Sequence, residues 1–365
     1  MKELKKEVKF GIETCPSTQK TIPKVDKEYY CDIQNMNSYI KDAYPTFGEQ
    51  FELIEFINSG SNGYVYSGRN KNSKDNTKFA FKFCIKNKNK ENESKRKESD
   101  QYQEVHYIKK LHHKYINQMY AFIKMNDTSF FSILELSKHG DLDNFMNNLL
   151  KRKTLPETCV NYFAKQILEG LSFIHYRFKI IHMDIKPGNI LIDTDLSIKI
   201  IDFSVSCSYS EFDPDDLVKF PFIGTGRFIA PEVINRAHMK IRDAPKIDIY
   251  SFGVTLYYIA FGKYPYGLDG IKSKNYEEIL NKIKSEELTF PKEGKFSPLF
   301  KDFLTKVLEK DYKKRITIRE ALEHPWIQAW KALDDEKSNS SCLENFLIKL
   351  ITDNVYEFNE SVKLK

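Results

Sequence analysis

Four polar residues in the second half of the chain have types and spacings suited to the chemistry of phosphate groups. Asp184, Lys186 and Asn189 lie close together in a polar loop, and Asp202 follows after two short apolar runs separated by a polar turn. Such runs predict a β-hairpin that returns Asp202 to the neighbourhood of Asn189. The set then offers a base (Asp184), a cation (Lys186) and two metal-binding oxygens. Because phosphoryl transfer is catalysed mostly by positioning and charge neutralisation, this pattern predicts phosphoryl-transfer chemistry.

These motifs resemble those of eukaryotic protein kinases. The run His182–Asn189 resembles the catalytic loop of that family, and Asp202-Phe203-Ser204 resembles its metal-binding triplet. The resemblance implies that ATP and Mg²⁺ are the cofactors, with Asn189 and Asp202 as metal ligands. It also implies an α+β, bilobal fold, with a small, mostly β lobe that contains one key helix and a larger, mostly α lobe. The expected boundaries are an N-terminal extension at 1–50, a kinase domain at 51–327 (lobes 51–136 and 137–327), and a C-terminal tail with a helix at 328–365.

The run 58–66 resembles the glycine-rich loop that covers the phosphates of ATP, although Asn58 stands at the position of the first glycine. Two glycines alone fit an ordinary hairpin turn equally well, but an apolar strand with one lysine, Lys82, follows them. The resemblance implies that Lys82 contacts the α- and β-phosphates. It assigns further nucleotide contacts to residues of the loop, the third strand, the hinge and the large lobe: Ile57, Asn58, Ser59, Gly60, Ser61, Asn62, Gly63, Tyr64, Val65, Ala80, Glu135, Asp141 and Leu191.

A lysine in an apolar strand needs a carboxylate partner, and Glu104 is the candidate. Apolar residues recur at helical spacing after it, so a helix that buries Ile108 would also direct Glu104 towards Lys82. The alternative is a solvated glutamate on a surface helix. In the large lobe, the resemblance implies a buried ion pair between Glu232 and Arg315, and a central helix whose Asp248 caps the backbone of the catalytic loop.

Several residues bear on the type of kinase. Lys186 and Thr225 match the pattern of serine/threonine kinases, and His324-Pro325-Trp326 resembles the final helix of the calcium/calmodulin-dependent group. Kinases that favour arginine near the phosphorylation site usually carry a glutamate after the loop proline, where this chain has Gly188. A strong preference for basic substrates is therefore not expected. Met183 replaces the arginine that commonly binds a phosphorylated activation loop, which predicts activity before any such phosphorylation.

The sequence therefore predicts a protein serine/threonine kinase that uses ATP and Mg²⁺, acts on protein substrates and autophosphorylates. Asp184, Lys186, Lys82 and Glu104 are the expected catalytic residues. One alternative is a pseudokinase, with the same fold used as a scaffold or nucleotide-binding module, because three motif positions are substituted. Another is a dual-specificity kinase of the type that inhibits cyclin-dependent kinases, in which a His-Met-Asp variant also occurs.

Composition and charge exclude several other classes. The net charge of +6 over 365 residues is mild and no basic stripe is present, so no nucleic-acid binding is expected. Six scattered cysteines form no metal-ligand pairs and indicate free thiols in a reducing compartment. The N-terminus leads into no apolar segment, and the longest apolar stretch, 247–261, is shorter than a bilayer span. We expect no membrane association, a monomer, and a cytoplasmic location, with the nucleus as the alternative.

The two flanks lie outside the resemblance. Residues 1–50 are mixed in charge and contain Thr21-Ile22-Pro23 and Tyr44-Pro45, which predict an extended arm packed on the lobes. The segment Cys342–Ile351 has an apolar stripe at helical spacing. It is interpreted as a helix docked on the large lobe, with an autoinhibitory or partner-binding helix as the alternative. Because it lacks a strongly basic face, no dependence on calmodulin is expected.

Overall fold

A computed structural model describes residues 31–60, 63–73, 76–85, 104–126, 129–149, 154–291 and 296–329. The chain divides into two compact units, which we call the small unit (Met1–His112 with Asn117–Leu136) and the large unit (His113–Ile116 with Ser137–Lys365). The described part of the small unit is mostly an antiparallel sheet, and that of the large unit is mostly helical. The predicted α+β fold class is confirmed.

The small unit contains a five-stranded antiparallel sheet with the strand order β1-β2-β3-β5-β4. Two helices precede the sheet, and a third, at residues 104–108, lies between β3 and β4. The side chain of Asp32 caps the first helix by accepting from the backbone N–H groups of Gln34 and Asn35. The elements are α1 (Ile33–Ala43), α2 (Phe47–Gln50), β1 (Phe51–Gly60), β2 (Gly63–Asn70), β3 (Lys78–Ile85), α3 (104–108), β4 (Met119–Asn126) and β5 (Ser129–Glu135).

Residues 33–50 belong to the core of the small unit. Met36 and Ile40 lie on one face of α1 and join a buried cluster with Phe47 and with aromatic side chains of the sheet, including Phe81 and Phe83. These residues therefore pack on the small unit as predicted, but they do so as two helices, and the prediction of an extended conformation is wrong. Residues 1–30 lie outside the described ranges. The helical spacing of the apolar residues between 36 and 47 was the signal for this packed face.

One helix of the large unit, Lys246–Phe261, is buried at every position except Tyr258. This is the predicted central helix. The part of the large unit that the structure describes contains α4 (Leu142–Asn144), which continues as a π-helical turn (Phe145–Leu149), then α5 (Glu157–Ser172), α6 (Pro231–Ile234), α7 (Lys246–Phe261), α8 (Tyr276–Ser285), α9 (Pro298–Val307), α10 (Ile318–Glu323) and α11 (Pro325–Gln328). None of the described helices is both long and apolar enough to cross a membrane.

Three short antiparallel strand pairs hold the loops of the large unit. They are β6 (Ile180–Ile181) with β9 (Cys207–Ser208), β7 (Ile190–Ile192) with β8 (Ile198–Ile200), and β10 (Leu217–Val218) with β11 (Met239–Lys240). The predicted hairpin is the second pair. Ile190 lies opposite Ile200, and the N–H of Ile201 donates to the carbonyl of Asn189 at 3.0 Å. The hairpin thus brings Asn189 beside the residue that precedes Asp202.

Candidate active site

Four side chains of the large unit form one hydrogen-bonded cluster around Asp184. The Nζ atom of Lys186 donates to Asp184 Oδ2 at 2.7 Å and to Thr225 Oγ1 at 2.5 Å. The Nδ2 atom of Asn189 donates to the carbonyl and to Oδ2 of Asp184, at 2.8 and 3.0 Å. The sequence-predicted base, cation and amide are therefore in direct contact, although Thr225 is far from them in the chain.

The two oxygens of the Asp184 carboxylate have different surroundings. Oδ2 accepts from Lys186 and Asn189, whereas Oδ1 is buried and has no hydrogen-bond partner among the described residues. A buried carboxylate oxygen without a donor is unfavourable, and most such atoms have a partner. Asp184 can therefore accept a hydrogen bond from a hydroxyl group.

Asp248 on α7 holds the backbone of this loop. Its carboxylate accepts from the N–H groups of His182 and Met183 at 2.7 and 2.9 Å, and from His175 Nε2 at 2.7 Å. Burial acts to raise the pKa of Asp248, but the hydrogen bond from His175, the electrostatic effect of the two neighbouring imidazoles and the N–H of His182 outweigh it, so the pKa is lowered. An ionised Asp248 stabilises a loop in which Met183 adopts a positive φ of 69°. The contribution of His175 had no signal in the sequence.

The residues predicted to bind a metal lie at the ends of the β7–β8 hairpin. Asp202 has a positive φ of 67°, and its Oδ1 accepts from the hydroxyl of Ser204 at 2.6 Å. Asn189 uses its amide nitrogen to bind Asp184, which leaves its oxygen as the atom suited to a cation. Carboxylate and amide oxygens are ligands that Mg²⁺ accepts, and they fit the predicted ion.

A dedicated metal cage is not needed for this chemistry. Among the residues that the structure describes, no group of three or more His, Cys, Asp or Glu side chains could hold a metal ion. Mg²⁺ commonly binds through one or two protein side chains together with substrate phosphates and water. Asn189 and Asp202 together fit that mode of binding.

In the small unit, Lys82 and Glu104 form the predicted ion pair. Lys82 Nζ lies 2.9 and 2.7 Å from the two carboxylate oxygens of Glu104, and the two side chains are 15% and 10% exposed. Lys82 comes from β3 and Glu104 begins the helix at 104–108. On β2, Val65 is paired with Lys82 in register. The alternative of a solvated Glu104 is wrong.

The residues of the glycine-rich loop extend over two strands. Ile57 to Gly60 end β1, Gly63 to Val65 begin β2, and Ser61 and Asn62 lie outside the described residues. Gly63 has a φ of 137°, and a Cβ atom there would collide with the carbonyl of Phe83. Glycine is therefore required by the sheet itself at this position, whether or not a nucleotide binds. Tyr64 and Ala80, also predicted nucleotide contacts, are buried in the sheet.

Glu135, at the end of β5, has its backbone engaged within the small unit. Its N–H donates to the carbonyl of Gln118 at 2.8 Å, and its own carbonyl accepts from Asn117 Nδ2 at 3.0 Å. In the large unit, Asp141 and Leu191 lie side by side in an isolated β-bridge. The contacts of these three residues with a nucleotide remain predictions.

Comparison with known proteins identifies the family. Residues 51–327 match the protein kinase domain family. This chain belongs to the protein kinase family. It is 31% identical to calcium-dependent protein kinase 4 of Plasmodium falciparum (isolate 3D7) over 332 residues, which are 89% of this chain and 57% of that protein. It is 33% identical to human death-associated protein kinase 2 over 287 residues, 76% of this chain and 71% of that protein.

A second Plasmodium relative, calcium-dependent protein kinase 4 of Plasmodium berghei (strain Anka), is 30% identical over 332 residues. The kinase chain spans 57% of the length of both Plasmodium proteins. The predicted resemblance to the calcium/calmodulin-dependent group is confirmed by these relatives.

The kinase contains the predicted buried ion pair between Glu232 and Arg315. The guanidinium donates to both carboxylate oxygens at 2.7 and 3.0 Å, and also to the carbonyl of Lys246. Arg315 is 1% exposed and Glu232 is 6% exposed. Such a two-point contact fixes α6, which follows the loop that contains Thr225, because both charges are compensated in a buried site.

The segment between Asp202 and Thr225 is held to the large unit of the kinase without a phosphate group. Strand β10 pairs with β11, and Asp215 accepts from Lys240 at 2.7 Å and from Arg242 at 2.9 Å. Tyr209 donates its hydroxyl to the carbonyl of His175 and is buried. Met183 is 3% exposed and supplies no charge. No pattern in the sequence indicated that Lys240 and Arg242 would bind Asp215.

Proposed function

We propose that this chain is an ATP- and Mg²⁺-dependent protein kinase that phosphorylates serine and threonine hydroxyls. The observation that carries the proposal is the cluster in which Lys186 joins Asp184 to Thr225, with Asn189 bound to the same carboxylate. This cluster combines a proton acceptor with a fixed cation and a metal-binding amide, which are the groups that phosphoryl transfer requires.

Each residue has a defined role in the proposal. Asp184 orients the acceptor hydroxyl and accepts its proton, and Lys186 neutralises the negative charge that develops on the transferred group. Asn189 and Asp202 would hold Mg²⁺, which supplies charge neutralisation at the phosphates. Lys82, held by Glu104, binds the phosphates of ATP from the small unit.

Two observations support serine and threonine as acceptors. Lys186 and Thr225 are in direct contact, and Thr225 adjoins the short helical turn Gly226–Phe228. Lys186 and Thr225 are the two residues that match the serine/threonine pattern, and this contact joins both of them to Asp184. Autophosphorylation belongs to the same proposal. Ser208 and Ser210 are exposed in the segment before Thr225, whereas Tyr209 between them is buried.

The deciding experiment is phosphate transfer from Mg²⁺-ATP to peptides that contain serine, threonine or tyrosine as the single acceptor. The full chain should phosphorylate the serine and threonine peptides, and Asp184→Asn should reduce the rate by at least about 1000-fold, because the proton acceptor is lost. Asp302→Asn, on α9, makes the same chemical change at an exposed carboxylate and should retain the wild-type rate.

The same experiment separates the alternatives. A pseudokinase would bind nucleotide, detected as a shift in thermal unfolding with ATP, and would transfer no phosphate. A dual-specificity kinase would phosphorylate the tyrosine peptide as well. The three substituted motif positions, Asn58, Met183 and Ser204, remove none of the groups that handle phosphate, metal or proton, so transfer is the expected result.

A further inference from the structure

Four basic side chains lie near Thr225, and among the described residues none of them has a carboxylate within 4.0 Å. We define the basic rim as Arg227, Lys263, Lys272 and Lys274. We propose that the basic rim binds a carboxylate or phosphate group of the acceptor peptide, so that this kinase prefers sites with an acidic or phosphorylated residue close to the acceptor. The inference rests on the proposed function and specifies its substrate class.

Arg227 is the centre of the basic rim. It lies two residues after Thr225, whose hydroxyl is bound by Lys186. Its guanidinium lies over the ring of Tyr264, 4.6 Å from the centroid, and donates to the carbonyl of Ile271. Within the described ranges, no carboxylate lies within 4.0 Å of this guanidinium. The side chain is thus held in place without a direct ion pair, although Asp143 and Asp269 lie near the same tyrosine.

A guanidinium in this state is suited to an anion. Arg carries five N–H donors in a planar fork that matches carboxylate and phosphate groups. Arg227 lies over the ring of Tyr264, hydrogen-bonds with its side chain and donates to the carbonyl of Ile271, while Nε is buried, so the remaining N–H groups of the guanidinium are the ones suited to an anion. Because the side chain is already ordered, binding an anion would cost little further conformational entropy.

Lys272 and Lys274 lie next to the same loop. Gly226 packs so closely on Ser273 that a Cβ atom on the glycine would collide with the serine backbone, and Ser273 Cα lies 2.9 Å from that Cβ position. The Cα atoms of the two flanking lysines are therefore within roughly 8 Å of Gly226, since consecutive Cα atoms are about 3.8 Å apart. Both lysines are exposed, as is Lys263, which precedes the tyrosine under Arg227.

The acidic residues on this side of the large unit are engaged internally. Asp141 caps α4 by accepting from the N–H of Asn144 at 2.9 Å and from its side chain at 2.5 Å. Burial, and next the charge of Asp141, raise the pKa of Asp143, and its Oδ1 is buried. Asp269 accepts from the N–H of Tyr264 at 3.2 Å. Asp269 is nevertheless exposed, so the basic rim sets four basic side chains against one exposed carboxylate, in agreement with Gly188.

The separation between Arg227 and Thr225 limits which positions of the substrate peptide the basic rim can contact. An extended peptide advances about 3.3–3.6 Å per residue. Because Arg227 is two residues from Thr225, it can reach an acidic group within about three residues of the acceptor. Long-range steering by the lysines would add to the rate of association and would weaken with salt.

The test uses the full chain and a set of serine peptides that differ at one position at a time within three residues of the acceptor. At each position the peptides carry alanine, aspartate, phosphoserine or arginine. At the best position, kcat/KM for the aspartate or phosphoserine peptide should exceed that for the alanine peptide by about tenfold, mainly through a lower KM. The arginine peptide should have a lower kcat/KM than the alanine peptide. Comparison of aspartate with phosphoserine distinguishes acidic from previously phosphorylated sites.

Charge reversal at the centre of the basic rim provides the decisive variant. Arg227→Glu should invert the order, so that the arginine peptide becomes better than the aspartate peptide. Misfolding would lower all rates and could not produce this inversion. Arg319→Glu, a matched reversal on α10 at a side chain that is 80% exposed, should keep the wild-type order. The double variant Lys272→Glu/Lys274→Glu should reduce the acidic preference about threefold to tenfold.

The outcomes separate this inference from the proposed function. If the chain phosphorylates serine peptides but prefers arginine, shows no preference at any position, or keeps its order in Arg227→Glu, the basic rim is not a specificity site while the kinase activity stands. If no peptide is phosphorylated and Asp184→Asn behaves like the wild type, the proposed function itself fails.

Discussion

Several buried charged side chains of the two units have a partner of opposite charge or several hydrogen-bond donors. The carboxylate of Asp248 accepts three hydrogen bonds, and Glu232 is paired with Arg315 through two. Lys82 is bound by Glu104 in the small unit. Because a buried charge without a partner is strongly destabilising, loss of one partner should affect both stability and chemistry.

The first prediction at the residue scale concerns Lys82. Lys82→Met should abolish phosphate transfer, because the charge that binds the phosphates of ATP is lost. It should also lower the free energy of unfolding by about 2 kcal/mol, because the 10% exposed carboxylate of Glu104 loses its partner. Activity is measured with Mg²⁺-ATP and a serine peptide, and stability by thermal unfolding.

A double variant separates these two effects. Lys82→Met/Glu104→Leu removes both charges and should recover most of the lost stability while remaining inactive. Near-normal turnover of Lys82→Met would show that Lys82 does not bind the phosphates.

The second prediction concerns Cys207. Burial, and next the charge of Asp248, raise the pKa of this thiol to about 11. Only roughly one thiol in several thousand is then ionised at pH 7.5, and the thiolate is the reactive form. Cys207 should therefore be alkylated by iodoacetamide at least about 100-fold more slowly in the native chain than in the unfolded chain. Peptide mapping by mass spectrometry measures this, and equal rates would contradict a partly buried, protonated thiol.

At the scale of elements, α1 and α2 complete the hydrophobic core of the small unit. The family match begins at residue 51, but the buried cluster includes side chains from residue 36 onwards. Phe47 is 3% exposed, and its ring lies between 5.4 and 5.9 Å from those of Phe51, Phe81, Phe83 and Phe131. The two helices cover the aromatic face of the sheet.

Removal of one aromatic ring tests whether the packing of α2 on the sheet stabilises the small unit. Phe47→Ala should cost about 3–5 kcal/mol and lower the midpoint of thermal unfolding by about 4–7 °C, because it leaves a cavity in a closely packed cluster. Phe212→Ala makes the same change at a side chain that is 48% exposed and should shift the midpoint little. Equal, small shifts would mean that α2 contributes little to the core.

The segment before Thr225 leads to a second prediction at this scale. Backbone pairing of β10 with β11 and the contacts of Asp215 with Lys240 and Arg242 hold the segment without a phosphate. Phosphatase-treated protein should therefore phosphorylate a serine peptide from the first turnover. The time course of product formation measures this. A lag that disappears after incubation with ATP would show that phosphorylation of the segment switches activity.

At the scale of the whole molecule, the flanks distinguish this chain from a simple kinase domain. The family match covers 51–327 of 365 residues, and the chain spans 57% of the length of its Plasmodium relatives, whose names describe them as calcium-dependent. The predicted helix at Cys342–Ile351 lies outside the described residues. Its sequence has an apolar stripe but no strongly basic face.

We therefore predict that the activity of this chain does not depend on Ca²⁺–calmodulin. Activity of the 365-residue protein should be the same with Ca²⁺–calmodulin as with a calcium chelator, because the tail lacks the basic amphipathic face of a calmodulin target. Initial rates with a serine peptide, at fixed Mg²⁺-ATP, provide the measurement. A stimulation of more than about twofold would point to a regulatory role for the tail.

Much of the site could be predicted from the sequence because its parts are local. Asp184, Lys186 and Asn189 share one loop, and the alternation of apolar residues predicts the hairpin that carries Asp202. The Lys82–Glu104 pair was predicted from the apolar strand around Lys82 and from the helical spacing of apolar residues after Glu104. The cost of leaving a buried charge unpaired supported it. These features depend on backbone geometry over a few residues, which residue types largely determine.

Only the tertiary structure decided which distant residues meet. His175 bonds to Asp248, Thr225 to Lys186, and Asp215 to Lys240, and each pair comes from separate elements. The packing of α1 and α2 on the sheet and the gathering of the basic rim around Thr225 have the same origin. Contacts of this kind depend on how distant elements pack against one another. No local pattern in a single sequence specifies that packing.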